Sequence, residues 1–245
     1  MIGEDANEQY MKKPSARERQ TLCPICYNNI TTHFSRHLFR HYPNDAEVKN
    51  IVNLKLKSKE RKDKIKMLRK RGYFCLNVEK NILNPVRKSM NPNTEYFVCR
   101  FCLGHYSKHL FHKHVKKCTS KPKNINNPGK HCLTESQTFL AGVLHKNSEF
   151  FQSSRMRKEV FPIMLPDKIS PVAKTDSLIC LYGESLLNRH KRQQITKMVS
   201  NKIREMGLLL AIKTFQKCEG LFDILRPEMF SKLIYATKLI SVYEE

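Results

Sequence analysis

The chain has 245 residues, with 45 Lys+Arg against 22 Asp+Glu for a net charge of +23, nine Cys, ten His and no Trp. An apolar fraction of 40% suffices for a packed core, but the apolar runs at 178–182 and 208–212 fall far short of the roughly 20 residues that cross a bilayer, which excludes a membrane span. A charge this large calls for a polyanionic partner, and nucleic acid is the commonest.

In chain order, Met1–Tyr10 is acidic and polar and lacks the basic start and apolar run of a secretory signal. Residues 1–20 therefore read as a disordered tail on a protein of a reducing compartment. In such a compartment an odd number of cysteines points to metal ligation and buried thiols rather than disulfides.

Residues 21–43 carry the first motif, Cys23-x2-Cys26-x10-His37-x3-His41. Two cysteines three apart on a tight turn aim both sulfurs at one ion, and two histidines four apart share a helix face and complete a tetrahedron. This is a C2H2-type zinc finger whose interval between the Cys and His pairs is two residues shorter than the usual 12 or so. Phe34, three before His37, is placed for the small apolar core. His33 is a weaker substitute for His41, and the plain alternative is a His-rich surface helix beside a chance Cys pair.

Residues 44–95 form a basic connector. Over 49–71 it holds 11 Lys+Arg and two acids, with apolar residues at Val48, Ile51, Val52, Leu54, Leu56, Ile65 and Leu68. A helix is expected here, ending at Gly72. Its charge is either a solvated face or a phosphate-contacting one. Tyr73–Val78 and Glu95–Val98 look strand-like, the loop 84–94 looks like an exposed turn, and Cys75 reads as a buried thiol.

Residues 96–119 carry the second motif, Cys99-x2-Cys102-x11-His114-x3-Cys118, a C2HC-type finger. Phe111 precedes His114 as Phe34 precedes His37, so the two motifs look like versions of one unit. Three sulfurs and one nitrogen make a closed structural zinc site. His105, His109 and His112 compete for the third place, but His114 alone has a Cys four residues on. The bland alternative is a basic helix with buried cysteines. The 57 residues between His41 and Cys99 exclude a short-linked array reading 3 bp per finger.

Residues 120–133 are polar and rich in Pro and Asn, and read as a linker. Residues 134–245 read as an all-α helical bundle. Thr134 with Gln137 resembles a capping box, and apolar stripes follow over 178–187, 195–212 and 229–240. Cys132, Cys180 and Cys218 lack metal-type spacing. Arg189, Lys191, Arg192, Lys197 and Lys202 are weak candidates for backbone contact. The fold class is thus small α+β zinc-finger modules in the N-terminal half and an all-α bundle in the C-terminal half. Residues 1–133 carry +18 of the +23 charge, so charge and metal-type ligands coincide.

No phosphate-binding glycine loop, H-E-x-x-H pair or carboxylate cluster is present. Catalysis by this chain is not expected.

The elements ending HLFRH, SKERKDKIKMLRKRGYF, CRFC with FHKHVKKC, GESLLNRH and IREMGLLL resemble a family of transposon-derived zinc-finger proteins of invertebrates and fish. Longer members of that family carry a tyrosine-recombinase-like domain after these elements. The resemblance assigns the eight ligand roles to Cys23, Cys26, His37, His41, Cys99, Cys102, His114 and Cys118. It likens the helices from about 175 to the core-binding segment that precedes a catalytic domain. Because His190-Lys191-Arg192 lacks the recombinase spacing and nothing follows Glu245, it implies a DNA-binding relic or fragment.

The function expected is therefore nuclear, zinc-dependent DNA binding with two zinc ions. Phosphate contacts would come from Lys55, Lys57, Lys59, Arg61, Lys62, Arg69, Lys116 and Lys117, and base contacts from Arg36, Arg40 and Lys113. The alternative is a zinc-stabilised adaptor whose C-terminal helices bind a protein partner or a second copy.

Overall fold

The computed structural model describes residues 21–31, 33–80, 94–122, 131–144, 148–190, 194–211, 218 and 220–241. The expected tail at 1–20, most of the loop 84–94 and linker 120–133, and Lys191, Arg192 and Ile212 lie outside the described residues. The chain is mostly helical, with two small two-stranded sheets. It divides into two units, 1–96 with 102–105 and 97–101 with 106–245. Among the described residues no helix is long and apolar enough to cross a membrane.

In the first unit β1 (Thr21–Leu22) pairs antiparallel with β2 (Asn29–Ile30), with Thr21 opposite Ile30 and Leu22 opposite Asn29. Helix α1 (Phe34–His41) then buries Phe34 and Leu38. Helix α2 (Ala46–Val52) starts on Asp45, whose carboxylate accepts from the N–H groups of Glu47 and Val48. Helix α3 (Lys59–Glu79) starts on Ser58, whose hydroxyl accepts from the Arg61 N–H. One small core joins Cys23, Phe34, Leu38, Val48, Ile51 and Leu68.

This connector differs from expectation twice. The run from Val48 is broken over 53–58, where Lys57 takes a positive φ of 62°. Gly72 does not stop the helix, and Tyr73–Val78 is helical rather than strand-like. The physical reason is a tertiary contact. A Cβ on Gly72 would stand 1.8 Å from the Leu22 carbonyl oxygen, so glycine serves close approach of β1 to the middle of α3. Two basic side chains lock the helices together. Arg61 Nη1 donates to the carbonyls of Val52 (2.9 Å) and Leu54 (3.0 Å), which lie at and just beyond the end of α2. Arg71 forms a two-pronged pair with Glu47 at 3.1 and 2.6 Å.

A second hairpin pairs β3 (Tyr96–Val98) with β4 (His105–Ser107) and leads into α4 (Lys108–Lys117). Within the second unit, the Val98 N–H donates to Ser136 Oγ at 2.9 Å, and Arg100 reaches Glu135 at 3.5 Å. Both partners lie on α5 (Cys132–Leu144). This helix begins before Thr134, which is buried within it. The expected capping box is therefore absent, and Gln137 instead donates to the Asp167 carbonyl at 2.8 Å.

The remaining helices are α6 (Ser148–Ser153), α7 (Ile169–Thr175), α8 (Ser177–Arg189), α9 (Ile195–Ala211), α10 (Leu221–Ile224) and α11 (Phe230–Ser241), with a π turn at Met156–Val160. They surround a core that includes Phe151, Met156, Phe161, Ile179, Leu187 and Ile203. Asp176 caps α8 at Ile179 and also accepts from the Leu221 N–H, both at 2.8 Å, so one carboxylate sets two elements.

Lys174 is fully buried in this core, 5.6 Å over the Phe161 ring, with Nζ donating to Thr138 Oγ1 at 3.2 Å. Burial pulls its ammonium down to about 7, against a smaller opposing pull from Asp167. The unfolded lysine binds its proton up to a pH near 10.5, so between about pH 7 and that value the unfolded chain holds more protons and stability rises with pH. Lys174→Met therefore raises the melting temperature at pH 7, by on the order of 2 kcal/mol of stability, and flattens that rise. Thermal melts of the metal-loaded chain at pH 7 and 9 check this, and a lower melting temperature for the variant contradicts it.

Candidate metal centres

The first centre is built on the turn between β1 and β2. The Cys23 N–H donates to the Asn28 carbonyl at 2.8 Å and the Tyr27 N–H to the Cys23 carbonyl at 2.9 Å, which curls the chain around the two sulfurs. Tyr27 takes a positive φ of 58° to allow it. Burial raises the Cys23 thiol, opposed by the N–H groups of Cys26 and Ile25 that hydrogen-bond its sulfur. At Cys26 burial also acts upward, but the Tyr42 hydroxyl, the Asn28 N–H and Cys23 outweigh it and lower the thiol. Such donors favour the thiolate, the form that ligates.

Helix α1 brings His37 to this turn, with Nε2 3.5 Å from Cys26 Sγ. Cys23, Cys26 and His37 gather with their ligand atoms within 4.8 Å of one another. A tetrahedron with Zn–S near 2.3 Å and Zn–N near 2.0 Å has an S···N edge of about 3.5 Å, so the spacing suits an ion. His41 stands outside this three-residue group. It is exposed, one turn along α1, with its ring centroid 4.9 Å from that of His37.

The second centre repeats the plan. Leu103, the residue after the second cysteine, has φ 56°, matching Tyr27 in the first turn. Cys99, Cys102, His114 and Cys118 form one group with all ligand atoms within 4.8 Å. Cys99 and Cys118 sulfurs lie 3.9 Å apart, close to the S···S edge of about 3.8 Å for tetrahedral Zn–S bonds. Tyr106 stacks flat on the His114 ring at 3.7 Å between centroids and fixes its plane. The competing histidines are placed elsewhere. His109 and His112 are exposed on α4. His105 meets Asn77 at 3.0 Å and the edge of Tyr73, and burial holds its imidazole down at about 4.

Three thiolates and a neutral imidazole around a divalent ion carry a net charge of −1. The Lys70 ammonium, which donates to Cys102 Sγ at 3.2 Å, would offset that charge. A group of two thiolates and two imidazoles would be neutral and needs no such partner. Sequence reasoning missed Tyr42, Lys70 and Tyr106, because their roles come from folding rather than spacing. Cys75, Cys132, Cys180 and Cys218 belong to neither group.

The structure sorts the basic candidates. Arg36 and Arg40 are exposed on α1, Lys55 and Lys57 in the turn before α3, Lys59 and Lys62 on α3, and Lys113, Lys116 and Lys117 on α4. Arg69 is exposed with its guanidinium 5.4 Å over the Phe34 ring. Arg61 is committed to the two carbonyls at the end of α2 and stacks 5.0 Å over Phe39. Of the weaker candidates on the helical bundle, Lys202 is paired with Glu205 at 3.0 Å, and Arg189 and Lys197 are exposed.

No family model, no curated protein and no solved structure matches the chain.

Proposed function

We propose that the chain is a zinc-dependent DNA-binding protein of the nucleus whose N-terminal half is built from two zinc fingers and whose C-terminal helices form a non-catalytic bundle. The observation that carries this is the pair of Cys/His groups, able to hold two metal ions, within a half that carries +18 of the +23 net charge. Zinc suits the donor sets, since two or three thiolates with imidazole favour it over harder cations. Cys99, Cys102, His114 and Cys118 close one site. Cys23, Cys26 and His37 form the other, with His41 as fourth ligand, because the two rings already stand side by side on one helix face. The metal supplies structure here, fixing hairpin to helix, and no chemical step is assigned to it. A transposon-derived, recombinase-type origin is part of the same proposal.

The exposed apolar side chains at the C-terminal end, among them Phe222, Leu225, Phe230, Tyr235 and Leu239, favour a second function, that of an interaction adaptor. Duplex binding by the zinc-loaded chain separates the two. The DNA-binding protein binds duplex in a salt-sensitive manner and loses it to a chelator, whereas the adaptor has no such binding.

A further inference from the structure

On a finger that reads the major groove, base contacts come from the position before the helix and its third and sixth residues. In α1 these are His33, Arg36 and Phe39. Phe39 is half-buried and covered by the Arg61 guanidinium, so the sixth position is closed by the finger's own packing against α3. In the same unit α3 is the longest helix and the one richest in basic side chains.

Along α3 the eight basic side chains fall into two sets. Arg61, Lys64, Lys70 and Arg71 have partners within the fold, namely the carbonyls of Val52 and Leu54, Glu60, Cys102 and Glu47. Lys59, Lys62, Lys66 and Arg69 are exposed, Arg69 while also lying 5.4 Å over the Phe34 ring. Their spacing of i, i+3, i+7 and i+10 puts them in one stripe, within an arc of about 80° and about 15 Å long. Buried Leu68 lies on the opposite side of the helix, against the finger core. Glu60 and Asp63 flank the stripe rather than interrupt it.

Resting on the DNA-binding function proposed above, we infer that this stripe of Lys59, Lys62, Lys66 and Arg69 is the surface that grips the phosphate backbone of duplex DNA, and that the first metal centre serves as a clamp holding α3 in place rather than as a reader of bases. The major groove of B-form DNA, about 12 Å wide, admits an α-helix, while the deep, narrow major groove of A-form RNA does not, so a cationic helix stripe fits the DNA duplex. Four cations without base-reading neighbours give binding that tolerates sequence and falls with salt.

The test uses the zinc-loaded full chain and fluorescence anisotropy with two unrelated DNA duplexes and one RNA duplex across a salt series. Neutralising the stripe (K59Q, K62Q, K66Q and R69Q together) is expected to weaken binding to both DNA duplexes by at least about 30-fold at fixed salt and to flatten the log–log salt slope by about 3 to 4, near 0.9 per lost phosphate contact. R36Q/R40Q has the smaller effect. Zinc content and melting temperature report folding, and should the quadruple variant melt early, the single reversals K62E and K66E carry the comparison. If the wild-type chain binds DNA and the stripe variants bind equally well, or R36Q/R40Q loses more, the assignment to α3 is overturned while DNA binding stands. Tighter binding to the RNA duplex overturns the choice of DNA, and a wild-type chain that binds neither nucleic acid overturns both proposals.

Discussion

Replacing Cys118 by serine is expected to cost the chain one of the two proposed metal ions and to unfold the second hairpin–helix unit, while Cys75→Ser is expected to leave the capacity for both ions intact. Cys118 ends α4, and its sulfur faces Cys99 at 3.9 Å. The hairpin and helix that carry Cys99, Cys102, His114 and Cys118 bury few apolar side chains, chiefly Phe97, Val98, Phe111 and Val115. A unit of this size does not hold a fold on apolar burial alone and needs a staple. The binding free energy of structural zinc, about 10–16 kcal/mol in finger peptides, is also folding free energy, so loss of a ligand is expressed as unfolding. The damage extends to α5, because Val98 and Arg100 are bonded to Ser136 and Glu135. Zinc content by atomic absorption and amide exchange over 96–144 check this. Cys75 is half-buried and outside both groups, so its substitution tests for a general effect of losing a thiol.

Gly72→Ala destabilises the first unit by several kcal/mol, on the order of 3, despite replacing glycine with the best helix former. In an unobstructed helix the change would stabilise by about 1 kcal/mol, so the sign alone discriminates. The added methyl would stand 1.8 Å from the Leu22 carbonyl oxygen and 2.9 Å from its carbon. Both are backbone atoms and cannot rotate aside. Either β1 moves off α3, carrying Cys23 with it, or α3 bends and the core of Phe34, Leu38, Val48, Ile51 and Leu68 opens. A lower melting temperature and weaker zinc retention at the first centre are expected. A neutral or stabilising alanine contradicts the packing of β1 on α3.

The two Cys/His groups, though not the place of His41, were legible because their geometry is local. Two cysteines in a tight turn and a histidine on the following helix are fixed by spacing, and the matching backbone at Tyr27 and Leu103 repeats what the motifs repeat. The connector was harder to read. Gly72 has the local signature of a helix stop, and Tyr73–Val78 has strand-forming composition, but the contact of Gly72 with Leu22 and the anchoring of Tyr73 and Asn77 against His105 override both. Likewise, nothing in a run of lysines and arginines marks Arg61 as a helix clamp or Lys70 as the partner of a thiolate. Those roles depend on carbonyls and sulfurs far away in sequence. Lys174 looks like any other helix lysine until the core closes over it.

The most direct test of zinc-organised DNA binding is the salt titration of duplex affinity for the full chain, with and without zinc. For the zinc-loaded chain log K is expected to fall linearly with log salt, with a slope of about −3 or steeper. That binding is expected to disappear when a chelator removes the metal and to return on adding zinc. Binding that persists unchanged after both ions are stripped, or no salt-sensitive binding by the zinc-loaded chain, would contradict zinc-organised DNA binding.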